Sequence, residues 1–323
     1  MRYANPLTSL RKEAVSIGAI DTLSKEYMKD PRHFADAINF FLFNGDQVVS
    51  AANLRELDPT EIAPVYGNNA KEPTQKIRDV AKSWTGMYDG NAIYMILGIE
   101  NQSKVHYAMA VKNMVYDSLN YAKQVMEAKK SREGETMTGE EFLSGFSKDD
   151  KLIPVITLVV YFGAEEWDGP MSLHKMFETQ DQRILKYVPD YEINLIQPAK
   201  ITDEEFPRFR TELGRVLEYI KYSRDKKALR KRVHQEADFW KVHTQSFDLL
   251  NAATNSKLKL YLDEGGKADV CKAIDEYERD MMIVGYIVGK LEEGMPLKEA
   301  IKNAALKFGK TEQYVKEVYE EVA

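Results

Sequence analysis

The dipeptide Asp89-Gly90, set between two runs of β-forming residues, constrains this chain more than any other feature. Asp-Gly supplies the positive φ angles of a two-residue type I′ hairpin turn. Lys76 to Trp84 reads as the first strand. Ala92 to Ile99, almost continuously apolar, reads as a second strand buried on both faces. The turn pairs Tyr88 with Asn91, and counting away from it sets Ala81 across from Gly98 and Asp79 across from Glu100. Glu100 and Gln102, two apart, share a face. Two carboxylates directly opposite one another destabilise a sheet unless a cation offsets their repulsion. Gly98 and Ala81 are small and leave room beside them. Oxygen donors of this kind suit a hard divalent ion, Mg²⁺ or Mn²⁺. The plainer alternative is that charged residues end strands where strands meet water.

The rest of the chain surrounds this hairpin with helices and one more buried strand. Residues 33–43 have helical apolar spacing, and Asn44-Gly45 is a stop signal. One short strand is expected within 47–63. Tyr107 to Glu127 reads as a helix with Met109, Met114, Leu119 and Val125 on its apolar side. A charged insertion over 128–150 contains a capping box, Thr138 and Glu141. Leu152 to Phe162 is a fully buried strand by composition. Beyond the turn Trp167-Asp168-Gly169-Pro170, a short helix near 171–179 and a strand near 192–197 are expected. Thr202 and Glu205 form a second capping box, ahead of an amphipathic helix marked by Phe206, Phe209, Leu213, Val216, Leu217 and Ile220. From 225 onward the pattern is helical. Helix, hairpin, helix and buried strand in this order give an α/β fold.

Composition excludes several classes. With 44% hydrophobic and 11% aromatic residues and a net charge of only −6, the 323-residue chain can bury a core, so disorder is excluded. A lone cysteine, Cys271, excludes an internal disulfide framework and points to a reducing compartment. The sequence from Met1 shows no apolar signal core, and the longest uncharged apolar run, 152–164, is shorter than the ~20 residues of a membrane helix. A soluble, cytoplasmic protein is expected. The five histidines show no metal-ligand spacing, no G-x-x-x-x-G-K loop occurs, and neither Ser144 nor Cys271 has a base nearby in sequence.

Two other features bear on partners. Seven basic side chains, Lys221, Arg224, Lys226, Lys227, Arg230, Lys231 and Arg232, stand against Asp225 alone. Such a stretch is either a solvated helix face or a phosphate-backbone contact, with Arg230, Lys231, Arg232 and, separately, Lys104 as the DNA-contact candidates. Near the C-terminus, Ala305, Gly309, Val315 and Val318 fit helix-turn-helix spacing. However, Glu312, Glu317, Glu320 and Glu321 crowd the would-be recognition helix and favour a plain helical hairpin. The stripe Met281, Met282, Ile283, Ile287 and Leu291 reads as a packing surface, within the chain or between copies in a homo-oligomer.

The strings Gln75-Lys76-Ile77-Arg78-Asp79-Val80, Ile99-Glu100-Asn101-Gln102 and Met109-Ala110-Val111-Lys112-Asn113-Met114-Val115-Tyr116, with Leu152–Val155, Tyr161–Gly163 and Trp167–Pro170, closely resemble the recombination-promoting nuclease (transposase-like) family. That family belongs to the PD-(D/E)XK nuclease superfamily. The resemblance covers roughly residues 30–230. It implies an αβββαβ, restriction-endonuclease-like core over 31–224, after an N-terminal extension (1–30) and before a helical C-terminal region (225–323). It implies Asp79, Glu100 and the main-chain carbonyl of Asn101 as ligands of Mg²⁺ or Mn²⁺. Gln102 stands where many members of the superfamily have Lys. Lys112 occupies a helix position that is usually Arg in the family, and Asp36 occupies one that is often acidic in the superfamily. The implied activity is metal-dependent hydrolysis of DNA phosphodiesters in recombination. An inactive transposase-derived scaffold and an RNA or toxin-like nuclease are the alternatives.

Overall fold

The computed structural model describes residues 19–57, 60–64, 73–77, 80–88, 91–131 and 139–322. The chain divides into two compact units. One runs to Arg224 and takes in Asp248–Asn255, and the other comprises Asp225–Phe247 and Ser256–Ala323.

The first unit is mixed α/β. Its first named helix, α1 (Pro31–Phe43), is set by local signals. Asp30 caps it, accepting from the Arg32 amide, Pro31 opens it, and Asn44 closes it in the left-handed conformation. The strands are β1 (Leu54–Glu56), β2 (Thr60–Pro64), β3 (Pro73–Ile77), β4 (Val80–Tyr88), β5 (Asn91–Gln102), β6 (Val155–Tyr161) and β7 (Asn194–Ile196). Between β5 and β6 lie α2 (Met109–Ser131) and α3 (Gly139–Ser144). One turn, α4 (Gln182–Leu185), precedes β7, and α5 (Leu213–Tyr222) follows it.

Five strands form one sheet in the order β1-β4-β5-β6-β7. β1, β4 and β5 are antiparallel neighbours, whereas β5, β6 and β7 run parallel. A parallel neighbour requires a crossover, and α2 provides it between β5 and β6. The hairpin register is the expected one: Tyr88 pairs with Asn91, Ala81 with Gly98 and Val80 with Ile99. The turn residues Asp89 and Gly90, and Asp79 with its neighbour Arg78, lie outside the described residues, as does the capping residue Thr138.

Several expectations need correction. Two strands, β1 and β2, stand where one was expected, and β6 starts only at Val155, after exposed Leu152–Pro154. The helix expected near 171–179 is one 3₁₀ turn, His174–Met176. The region from 225 onward also holds two short strands, Lys241–Val242 and Ala268–Asp269. The strand read over Lys76–Trp84 is two strands. β3 pairs with β2 in a separate two-stranded sheet, with Pro64 across from Pro73 at one end, while β4 starts at Val80. The amphipathic helix read from Phe206 begins only at Leu213. Phe206–Arg208 is a single 3₁₀ turn, and the Asp36 carboxylate takes the Arg210 and Thr211 amides, holding that segment out of the helix. Glu205 does accept from the Thr202 amide at 2.8 Å, but it closes a turn rather than an α-helix. On α2, Met114, Leu119 and Val125 are only half buried. The buried face carries Met109, Ala110, Asn113, Tyr116, Asp117 and Asn120.

That polar face is matched by the strand beneath it. Asp117 accepts from the Thr157 hydroxyl at 2.6 Å and from the Tyr191 hydroxyl at 2.5 Å, and Asn194 donates to the Thr157 carbonyl at 2.9 Å. Gln124 pairs with both backbone groups of Ile153. An Asp117→Ala variant strands two hydroxyls that now bond a carboxylate. The expected loss is about 2–4 kcal/mol, read by urea unfolding. A loss under about 0.5 kcal/mol would show that water replaces the carboxylate at no cost.

The second unit holds α6 (Lys226–Gln235), the paired strands β8 (Lys241–Val242) and β9 (Ala268–Asp269), and helices α8 (Val270–Glu292), α9 (Leu297–Phe308) and α10 (Glu312–Val322). Helix α7 (Thr244–Thr254) starts in this unit and ends in the first. Ile283, Ile287, Ala300, Ala304 and Val315 form a common core of α8, α9 and α10. Gly309 ends α9 with φ +63° and its amide on the Ala305 carbonyl. Gly309→Ala should cost about 1 kcal/mol, visible as a lowered Tm, because an L side chain disfavours that conformation. Glu312, Glu317, Glu320 and Glu321 all lie exposed on α10, as a helical hairpin with a solvated face requires. No helix among the described residues is long and apolar enough to cross a membrane.

Candidate functional site

The two sheet faces carry different chemistry. Directly paired residues share a face, so Lys82, Leu97 and Ile99 lie together on one side, where the Lys82 ammonium stands 5.6 Å from the Phe34 ring of α1. Ala81, Gly98 and Glu100 lie on the other side, with Thr157 and Val159 of β6, under α2.

Glu100 is 1% exposed, and a carboxylate so buried requires positive charge beside it. Lys112, on the first turn of α2, supplies that charge, with Nζ 2.7 Å from Glu100 Oε2. The Lys112 side chain is 28% exposed, so its stem lies in the fold while its ammonium reaches the carboxylate from the edge of solvent. The Gln102 amide donates to the Asn101 carbonyl at 2.9 Å, and Asn101 is itself buried. The structure thus brings Glu100 and Lys112 into contact and joins Gln102 to Asn101 beside them.

The donors present are oxygens: the Glu100 carboxylate and the Asn101 carbonyl. Gly98, buried on the Glu100 face, adds no side chain. That chemistry fits a hard divalent ion. Asp79, the remaining ligand candidate, lies outside the described residues.

Asp36 has partners of its own. It is 2% exposed and accepts from the Arg210 amide (2.8 Å), the Thr211 amide (2.8 Å) and the Thr211 hydroxyl (2.6 Å). It stands on α1, whose Phe34 meets the sheet face opposite to that of Glu100. Among the DNA-contact candidates, Lys104 is exposed in the turn between β5 and α2. Arg230 is engaged with Asp275 and, at 2.7 Å, with Glu278. Lys231 is exposed, and Arg232 is half-buried.

A sequence-family description, "Putative transposase, YhgA-like", matches residues 21–260. The chain belongs to that family. The matched span of this YhgA-like family member contains Glu100, Gln102, Lys112 and the basic stretch, and it stops short of Cys271. Neither curated proteins nor solved structures gave a match.

Sequence reasoning missed the buried polar row on α2. Its signal was present: Asn113, Asp117, Asn120 and Gln124 recur at helical spacing. Asn113 is 0% exposed, and its amide makes no hydrogen bond among the described residues.

Proposed function

We propose that this YhgA-like family member is a divalent-metal-dependent nuclease that hydrolyses DNA phosphodiesters, of the PD-(D/E)XK type. The observation that carries the reading is the buried Glu100 held by Lys112 at the end of β5. The surrounding order supports it: in the five-stranded sheet, a helix, three antiparallel strands, a crossover helix and a parallel strand follow one another. Continuing the Val80–Ile99 register by one step would set Asp79 opposite Glu100.

In this reading Asp79, Glu100 and the Asn101 carbonyl hold a divalent ion. Once bound, the ion supplies a water of lowered pKa and neutralises charge building on the phosphate. Glu100 fixes the ammonium of Lys112, and Lys112 offers that positive charge to the non-bridging phosphate oxygens as they gain charge. Gln102 stands where many relatives in the superfamily have Lys. Its amide can orient a water but carries no charge, so Lys112 becomes the cation of the site. The test is nicking of supercoiled plasmid by the full chain with Mg²⁺ or Mn²⁺. Cleavage is expected with either ion and none with EDTA. Intact plasmid in both ions, with DNA binding retained, would favour the scaffold reading.

The basic stretch is assigned to non-specific phosphate contact, which positions DNA without reading bases. Lys226, Lys227 and Lys231 are exposed on α6, whereas Arg230 is tied to acidic partners. Reversing the charge of these three lysines should weaken duplex binding. It should also flatten the log–log salt slope by about 0.9 for each phosphate no longer neutralised. Unchanged affinity and slope would return α6 to a solvated surface.

A further inference from the structure

A second cluster of chemically reactive side chains lies in the helical unit. His234 is in the last turn of α6, and Cys271 and Asp275 are in the first turns of α8. The two α8 residues are four apart, so they project from one helix face. The Cys271 sulfur is 3.2 Å from His234 Nδ1, and Asp275 Oδ1 is 3.0 Å from His234 Nε2. One ligand atom from each residue can be chosen so that all three lie within 4.8 Å of one another.

We infer that His234, Cys271 and Asp275 form a binding site for a borderline-soft divalent metal, Zn²⁺ by preference, separate in chemistry from the all-oxygen site at Glu100. The donor set is the first argument. Thiolate, imidazole and carboxylate together suit Zn²⁺ rather than Mg²⁺ or Mn²⁺. Charge is the second: a thiolate, a carboxylate and a neutral imidazole balance a divalent cation. Spacing is the third. Zn–S and Zn–N bonds of about 2.3 and 2.0 Å place tetrahedral ligand atoms roughly 3.5 Å apart. With Nε2 of His234 as the ligand nitrogen, Asp275 Oδ1 lies 3.0 Å and the Cys271 sulfur 4.0 Å from it, and all three atoms fall within 4.8 Å, so modest side-chain rotation brings them to one ion. Cys271 and Asp275 also line an open cavity of about 350 Å³, together with Asp269, Lys272 and Glu276, so a fourth position can face solvent.

The same three residues also resemble a nucleophilic triad; the mixed sulfur, nitrogen and oxygen donor set and the cavity beside Cys271 and Asp275 favour a metal ion. The metal–sulfur bond forms as the S–H bond breaks, and one proton passes to solvent for each ion bound. Arg230, which contacts Asp275 at 3.4 Å, keeps Glu278 as a partner when Asp275 turns to the metal. Cys271 and Asp275 lie beyond the family-matched span, whereas His234 lies within it.

The test uses the full, untagged chain, reduced and stripped with EDTA, titrated with Zn²⁺ against a chromophoric chelator and separately with Co²⁺. Expected results are one tight Zn²⁺ equivalent, a thiolate-to-cobalt charge-transfer band and release of one proton. The isosteric variants Cys271→Ser and Asp275→Asn, together with His234→Ala, should each weaken that equivalent by about a hundredfold or more. That estimate follows because even residues that only support a metal ligand cost 10–100-fold. Glu100→Gln should leave it intact. Absence of the cobalt band in the wild-type chain, or Zn²⁺ affinity unchanged in Cys271→Ser, would overturn the proposal and leave a hydrogen-bonded cluster.

Discussion

Glu100→Gln is expected to reduce Mg²⁺-dependent plasmid cleavage by about a thousandfold or more while the protein stays folded. A metal ligand contributes several kcal/mol to charge stabilisation in the transition state, and each factor of ten corresponds to about 1.4 kcal/mol. Glutamine keeps the shape of the side chain but removes the charge that both a divalent ion and Lys112 require. Lys112 is partly exposed and can turn its ammonium to water, so far-UV circular dichroism should be unchanged. Lys112→Ala should cost less, about a hundredfold, as when one stabilising donor is removed. Lys112→Arg should recover much of that, because a guanidinium also pairs with carboxylate and phosphate. Equal activity in the wild type and Glu100→Gln would place the chemistry elsewhere.

Asp36→Ala is expected to have the largest effect on stability, about 3–5 kcal/mol. The substitution leaves two part-buried backbone amides and a hydroxyl without their shared acceptor, and hydrogen bonds to a charged group are worth roughly 1.5–3 kcal/mol each. For a domain stable by 5–15 kcal/mol, such a loss is a large fraction of the whole. Asp36→Asn should recover little, because its amide nitrogen would face one of the N–H donors. Urea unfolding measures both variants. An Asp36→Ala protein of wild-type stability that had lost cleavage would point to a catalytic role for Asp36 and contradict the stabilising clamp.

The contrast between Asp36 and Glu100 shows where sequence reading succeeds and where it stops. The hairpin register was legible because a two-residue Asp-Gly turn fixes every pair that follows, and Val80–Ile99 pairing is its consequence. The helix at 31–43 was legible because its start and stop are local: Asp30, Pro31 and Asn44. The Lys112–Glu100 contact was not readable from spacing, since it depends on how the crossover helix lies on the sheet. The family resemblance alone brought Lys112 forward. Asp36 is the reverse case. Its partners at 210 and 211 are distant in sequence, and an acidic residue on a helix gives no sign that it caps another segment. The split between β3 and β4 was hidden because each half has strand composition, and only the pairing of β3 with β2 separates them. The buried polar face of α2 was overlooked because the expected signal was apolar, whereas Thr157 and Tyr191 offer it hydrogen bonds. His234 and Cys271 are 37 residues apart, and no spacing rule joins them.

The most direct test of the proposed active site is a crystal structure of the full chain grown with Mn²⁺, with anomalous data collected at the manganese edge. The account predicts an anomalous peak bound by the carboxylates of Asp79 and Glu100 and by the Asn101 carbonyl. That peak should be absent from crystals of Glu100→Gln. Asp79 and Glu100 on opposite faces of the sheet, or manganese bound elsewhere with none beside Glu100, would contradict it.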